Sequence, residues 1–333
     1  MTKQSKKIYS SLMGRIAVVM VANQALLLAL SALLSSLENS LVKLFGDNTS
    51  IDLIFRMGEC VAYFLSFVLP VMIFNKMNKN AEREIYEPEE SERATPQNSI
   101  FLFGIGLGLT TMAAYVNYFV VNALWDYSDF SQEYLWGVEL DHPYQVVIYF
   151  ISVAVIPPVV EELLFRGAIC KSLTVYGKTC AVVISAVLFA LMHTNAEQLI
   201  YTLVAGVFLG IIYVETKSII FPILLHFVNN AFSAVEQIVY ETVSPMEYSK
   251  VSNTFDIITW VFMAISLVGF LLSILKKGSF IRPISMKPDE NGEPVAPLSV
   301  AEKISGFFTL KMILFIIYSF ATMAYYIYLS TQL

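Results

Sequence analysis

Three short polar runs stand inside otherwise apolar sequence. VAVIPPVVEELLFRG carries Glu161, Glu162 and Arg166, LFALMH ends in His193, and IIFPILLHFVNNAF carries His226, Asn229 and Asn230. Two of the chain's three histidines are among these residues; the third, His142, stands beside Pro143 and reads as an interface residue. Ionisable side chains in apolar segments are costly to bury, which makes them functional candidates. A carboxylate in a partly dry pocket can act as general base on a water molecule. A histidine beside it can hold that water, and a His–Asn pair can stabilise a tetrahedral oxyanion. Glu161, His193 and His226 are equally a donor set for zinc, which would then activate the water. The cofactor expectation is therefore none, or zinc. A serine mechanism has little behind it, because there is no G-x-S-x-G elbow and no aspartate in the apolar segments near either histidine.

Such groups need elements to hold them, and composition says which kind. Of 333 residues, 56% are apolar and 14% charged, against about 45–50% and about 25% in soluble domains. The mean hydropathy is +0.64. Apolar residues fall in blocks of about 20, enough to span a hydrocarbon core. The fold class is an all-α, polytopic transmembrane bundle of about 8–9 spans. Nine candidate spans read at roughly 15–37, 52–75, 99–124, 144–172, 178–194, 197–215, 218–240, 255–275 and 306–330. The basic N-terminal flank resembles that of a signal peptide, but the apolar stretch is too long for one, so an uncleaved first helix is expected.

Helical rise places the polar residues at similar depth. Counting 1.5 Å per residue from the basic residue at the cytoplasmic end of each span, Glu161 lies about 15 Å in, His226 about 14 Å, Asn230 about 20 Å and His193 about 22 Å. This band predicts one polar intramembrane cavity open to the cytoplasm. His226 and Asn230 are four apart and share a helix face, and Glu162 and Arg166 have the same spacing, which suits a buried ion pair. Glu161, about 100° away, is left free to react. Pro157 and Pro222 each precede a candidate by four residues, and such broken helices frame sites in membranes.

Lysine and arginine positions orient the bundle. With a cytoplasmic N-terminus, one side holds 18 of the 21 basic residues, and nine spans then put the C-terminus outside. Residues 76–98 read as a charged cytoplasmic loop, 125–143 as an acidic, aromatic outer interface and 278–304 as a proline-rich linker. Arg56 and Glu59, three apart in the second span, are expected to neutralise each other. Asn23, Gln24, Asn117 and Asn122 read as interhelical hydrogen bonders, and the GIGLG run at 104–108 as close helix packing. Three cysteines without metal-like spacing give no disulfide framework. A net charge of −6 and the absence of a basic patch exclude nucleic acid as an expected partner.

Glu-Glu-x-x-x-Arg at 161–166, Phe-x-x-x-His at 189–193 and His-x-x-x-Asn at 226–230 resemble, in order and spacing, the three motifs of the CPBP family of intramembrane proteases. This is the CAAX protease and bacteriocin-processing, or Abi, family. The resemblance covers about residues 144–240 and implies an intramembrane endopeptidase. Its expected partners are the lipid bilayer and peptide or membrane-protein substrates. By resemblance, Glu161 activates the water with help from His193, His226 and Asn230 form the oxyanion site, and Glu162 and Arg166 support them. Family members are often called metalloproteases, while a metal-free glutamate mechanism is also argued for the CAAX enzymes. The implied division is 1–143 for N-terminal helices, 144–240 for a catalytic core and 241–333 for C-terminal helices, in a protein of the bacterial plasma membrane.

Two rival readings use the same residues. One is a non-catalytic scaffold or immunity protein of the same fold that binds a membrane partner, its His, Asn and Glu–Arg groups merely bridging helices. The other is a proton-coupled carrier; it would call for inverted repeats and a second carboxylate at depth, and beyond Glu162 the sequence offers neither.

Overall fold

The computed structural model describes residues 2–46, 48–78, 96–125, 140–277 and 298–330. The expected charged loop, outer interface and linker fall largely outside these residues. Within them every regular element is helical. Ten helices follow in order: α1 (Thr2–Phe45), α2 (Thr49–Asn78), α3 (Pro96–Trp125), α4 (Pro143–Tyr176), α5 (Lys178–Met192), α6 (Leu199–Thr216), α7 (Ile220–Thr242), α8 (Pro245–Lys277), α9 (Val300–Phe307) and α10 (Leu310–Ser330). α9 opens with a capping box in which Ser299 and Glu302 bond reciprocally. The Ser299 hydroxyl and backbone hold the Glu302 carboxyl below its usual range.

Each of the nine expected spans is helical, but seven described helices are long and apolar enough to cross a membrane. The difference lies in α5 and α7. α5 has 15 residues, short of the roughly 20 a span requires. α7 has 23 residues, but its histidine and asparagines dilute its hydropathy.

α4 is the irregular helix. It passes through two π-helical stretches, Ile151–Val155 and Leu163–Cys170, on either side of Ile156–Glu162. π-bulges of this kind collect at functional sites. The sequence supplies a cause for the first. In an α-helix the Val153 carbonyl would bond the N–H of residue 157, and in a π-helix that of residue 158; both are proline and have none. Asn230 on α7 fills the gap, its Nδ2 donating to Val153 O at 3.0 Å. α2 repeats the device. Pro70 cannot bond the Ser66 carbonyl, and Asn23 of α1, wholly buried, donates to it at 2.9 Å. The neighbouring Gln24 donates to Met192 O at 2.9 Å, tying α1 to the end of α5. These bonds bear out the interhelical reading of Asn23 and Gln24, and Asn117 Oδ1 likewise accepts from Ile200 N at 3.0 Å.

α5 and α6 pack at backbone contact. A Cβ added to Gly206 would stand 2.9 Å from Ala186 Cα, and one on Gly210 3.2 Å from Val182 Cγ1. The pair at i and i+4 is the small-residue seam by which membrane helices approach closely. Of the 104–108 glycines two pack closely, as expected, Gly106 against Leu225 and Phe208 and Gly108 against Ser266 of α8, while a Cβ on Gly104 would meet nothing within 4 Å.

Candidate active site

Glu161 and Glu162 close the α-helical turn between the two π stretches of α4, and both are buried. Glu162 and Arg166 form the expected ion pair, Nη1 to Oε1 at 2.8 Å, with both side chains wholly inaccessible. Removing two charges from water is costly, and further bonds must satisfy the rest of each group. Arg166 Nη2 donates to Gly206 O at 3.0 Å, the carbonyl that the α5–α6 seam brings close. The guanidinium also lies 4.8 Å from the centre of the Phe189 ring, a cation–π contact. On the other side of the pair, His226 Nδ1 meets Glu162 Oε1 at 3.0 Å. A carboxylate there makes Nδ1 the donor.

Glu161 is held differently. Its Oε1 accepts from the hydroxyl of Tyr63, on α2. Its Oε2 is buried without a hydrogen-bond partner, and His226 Nε2 lies 3.9 Å away. One oxygen is therefore anchored and the other left bare beside an imidazole. The expectation that Glu161 stands free holds for only one of its two oxygens.

His193 follows directly on α5. Its Nδ1 lies 2.8 Å from Phe189 O, so it donates to that carbonyl and leaves Nε2 as an acceptor. The Phe189 ring joins the cluster, edge-on to His193 at 4.8 Å and to His226 at 5.8 Å. His193 lies within electrostatic range of Glu161, His226 and Arg166. Asn230 shares the α7 face of His226, but one amide proton serves Val153 O, leaving the second available. Asn229 bonds the hydroxyl of Tyr201. Ser185 of α5 donates to Phe165 O at 3.0 Å, fastening the second π stretch of α4.

The structure thus brings Glu161, Glu162, Arg166 and His226 into one contact network, with His193 joined through Phe189 and Asn230 through α4. Zinc needs several donors converging on a point. Here the atoms left open are Glu161 Oε2 and the Nε2 atoms of His226 and His193, since Tyr63, Glu162 and Phe189 O engage the others. Yet among the described residues no three His, Cys, Asp or Glu side chains are grouped to hold a metal ion.

Arg56 departs from expectation. It pairs with Asp52 at 2.7 Å, four residues back, rather than with Glu59. Asp52 also accepts from Tyr144 at 2.8 Å and Gln145 at 3.2 Å, so two groups of α4 help fix the acid to which Arg56 turns. Tyr63 is the residue that motif reasoning misses, since it stands 98 positions from Glu161. Depth could have found it: counted from Lys76 it lies about 20 Å inside the second span, level with Asn230.

A family model described as type II CAAX prenyl endopeptidase Rce1-like matches residues 143–232, from the start of α4 through most of α7. This segment is similar to Rce1-like domains. Two relatives support the assignment. A putative membrane peptidase, YdiL, of Bacillus subtilis is 26% identical over 163 residues, covering 45% of this chain and 63% of that protein. A membrane-embedded CAAX protease, MroQ, of Staphylococcus aureus is 25% identical over 126 residues, covering 36% of this chain and 49% of that protein. The chain thus spans less than two thirds of the length of either relative. No solved structure matches it. Together with the apolar helices, these relatives mark an integral membrane protein.

Proposed function

We propose that the chain is an intramembrane endopeptidase in which Glu161 activates water against a peptide bond. The observation that carries this is the unequal treatment of the Glu161 oxygens, Oε1 held by Tyr63 and Oε2 bare beside His226 Nε2. At 3.9 Å the carboxylate and imidazole are too far apart for a direct hydrogen bond, and both can bind one reacting oxygen between them. Oε2 takes a proton from water, and the resulting hydroxide adds to the carbonyl carbon. His193 Nε2, an acceptor, orients the same water. The oxyanion receives the second amide proton of Asn230 and lies beside His226 Nε2. The C–N bond then breaks, and Glu161 returns its proton to the leaving nitrogen.

In this reading residues 144–240 form the catalytic core, flanked by helices of 1–143 and 241–333. The substrates are peptides or C-termini of membrane-associated proteins. The N-terminus lies in the cytoplasm of a bacterium and the C-terminus outside. Glu161→Gln keeps shape and removes the base. It is expected to lower cleavage about 10²–10⁴-fold with folding intact, and full activity in that variant would overturn the mechanism.

A second reading, a non-catalytic scaffold binding a membrane partner, is favoured by one observation. His193, Arg166 and Asn230 each spend a donor on a backbone carbonyl. Glu161 separates the two readings, because its bare oxygen bridges nothing.

A further inference from the structure

We infer that the cavity between α2 and α4 is the binding site for the peptide segment flanking the bond to be cut, an assignment that rests on the endopeptidase reading. The cavity measures about 290 Å³. Arg56, Glu59, Cys60 and Tyr63 line it from α2, and Tyr149 and Ser152 from α4. Tyr63 is common to this wall and to the site, since its hydroxyl donates to Glu161. A molecule in the cavity therefore lies one side chain from the proposed base. α2 supplies this wall from outside the Rce1-like segment.

The lining decides the chemistry of the occupant. The wall presents more apolar than polar surface, from Ile148, Ile156 and the carbon flanks of the longer side chains, with the polar ends of Arg56, Glu59, Tyr63, Tyr149 and Ser152 and the Cys60 thiol set into it. Arg56 keeps its pair with Asp52 whatever enters, but an isoprenoid or acyl chain would face the Glu59 carboxyl with no donor to offer it, at the cost of a desolvated polar group. A peptide backbone offers both donors and acceptors, and the two charges of opposite sign select neither net charge. The wall is also fixed in place. Arg56 Nε is held at 2.7 Å by Asp52, and Asp52 is held in turn by Tyr144 and Gln145 of α4. From Arg56 to Tyr63 the α2 face runs about 10 Å, room for a short extended segment and not for a folded one.

Cys60 tests this after folding is complete. Cys170 is wholly buried, and Cys180, far from the cavity in sequence, is removed by Cys180→Ser to leave Cys60 as the reactive thiol. The purified Cys180→Ser protein is treated with a bulky maleimide, the modified residue is located by mass spectrometry, and cleavage of short fluorogenic peptides with free C-termini is followed. Modification at Cys60 is expected to lower cleavage more than tenfold. The same peptides in excess should slow the labelling several-fold, while farnesol should not. Undiminished cleavage after complete labelling, protection by farnesol instead of peptide, or no reaction at Cys60 would each overturn the assignment. If unmodified protein cuts no peptide, the endopeptidase reading fails. Protection by peptide, read in the same experiment, would then still support peptide binding in the cavity, and its absence would overturn it.

Discussion

Glu161 and Glu162 are adjacent in sequence and have opposite employment. Each keeps one buried oxygen without a hydrogen bond; Glu162 spends its Oε1 on Arg166 and His226, while Glu161 gives its Oε1 to Tyr63 and turns Oε2 toward His226 Nε2. That division is set by Tyr63, and its hydroxyl is the smallest change that tests it. Tyr63→Phe removes one charge-assisted bond, worth about 1.5–3 kcal/mol, and should lower kcat roughly tenfold or more with the protein still folded. Arg166 makes a different case, because it pairs with Glu162, caps Gly206 O and stacks on Phe189. Arg166→Ala removes the guanidinium from a buried carboxylate, leaving it only His226, and should destabilise by about 3–5 kcal/mol, seen as a fall in Tm in detergent. Arg166→Lys should recover little of this, since a point charge cannot serve all three contacts.

At the scale of elements, the site depends on a helix that is deliberately irregular. Pro157 and Pro158 deprive Val153 O of any intrahelical donor, and Asn230 supplies one across the bundle. Asn230→Ala should therefore cost about 1–3 kcal/mol of stability. That loss should shrink when Pro157→Ala and Pro158→Ala restore the backbone donors, and a thermal-denaturation double-mutant cycle would read the coupling. Gly206→Ala pushes a methyl against Ala186 backbone at 2.9 Å; overpacking of this kind costs about 1–3 kcal/mol and should lower Tm. The helices themselves were legible from apolar blocks, and the Glu162–Arg166 pair from its spacing. The proline at 157 also announced a broken helix. Which carbonyl was freed, and which amide answered it, depends on packing between α4 and α7 that periodicity does not encode.

For the whole molecule, sequence motifs mark one segment and the structure assembles the site from more. Five of the cluster's groups, Glu161, Glu162, Arg166, His226 and Asn230, come from α4 and α7, within the Rce1-like region, and were found by residue type, spacing and depth. Tyr63 comes from α2, and α1 fastens both α2, through Asn23, and the end of α5, through Gln24. No local pattern links residues 98 positions apart, so the contribution of the N-terminal helices became visible only with the fold. Arg56 shows the same limit in the other direction: spacing offered Glu59, and Asp52, braced by α4, took the pair. The central claim concerns hydrolysis at Glu161, and the most direct measurement compares peptides released from membranes holding wild-type protein with those holding Glu161→Gln at matched expression. Products present only with wild type are the predicted result. Identical peptide profiles, with both proteins folded and candidate substrates present, would contradict it.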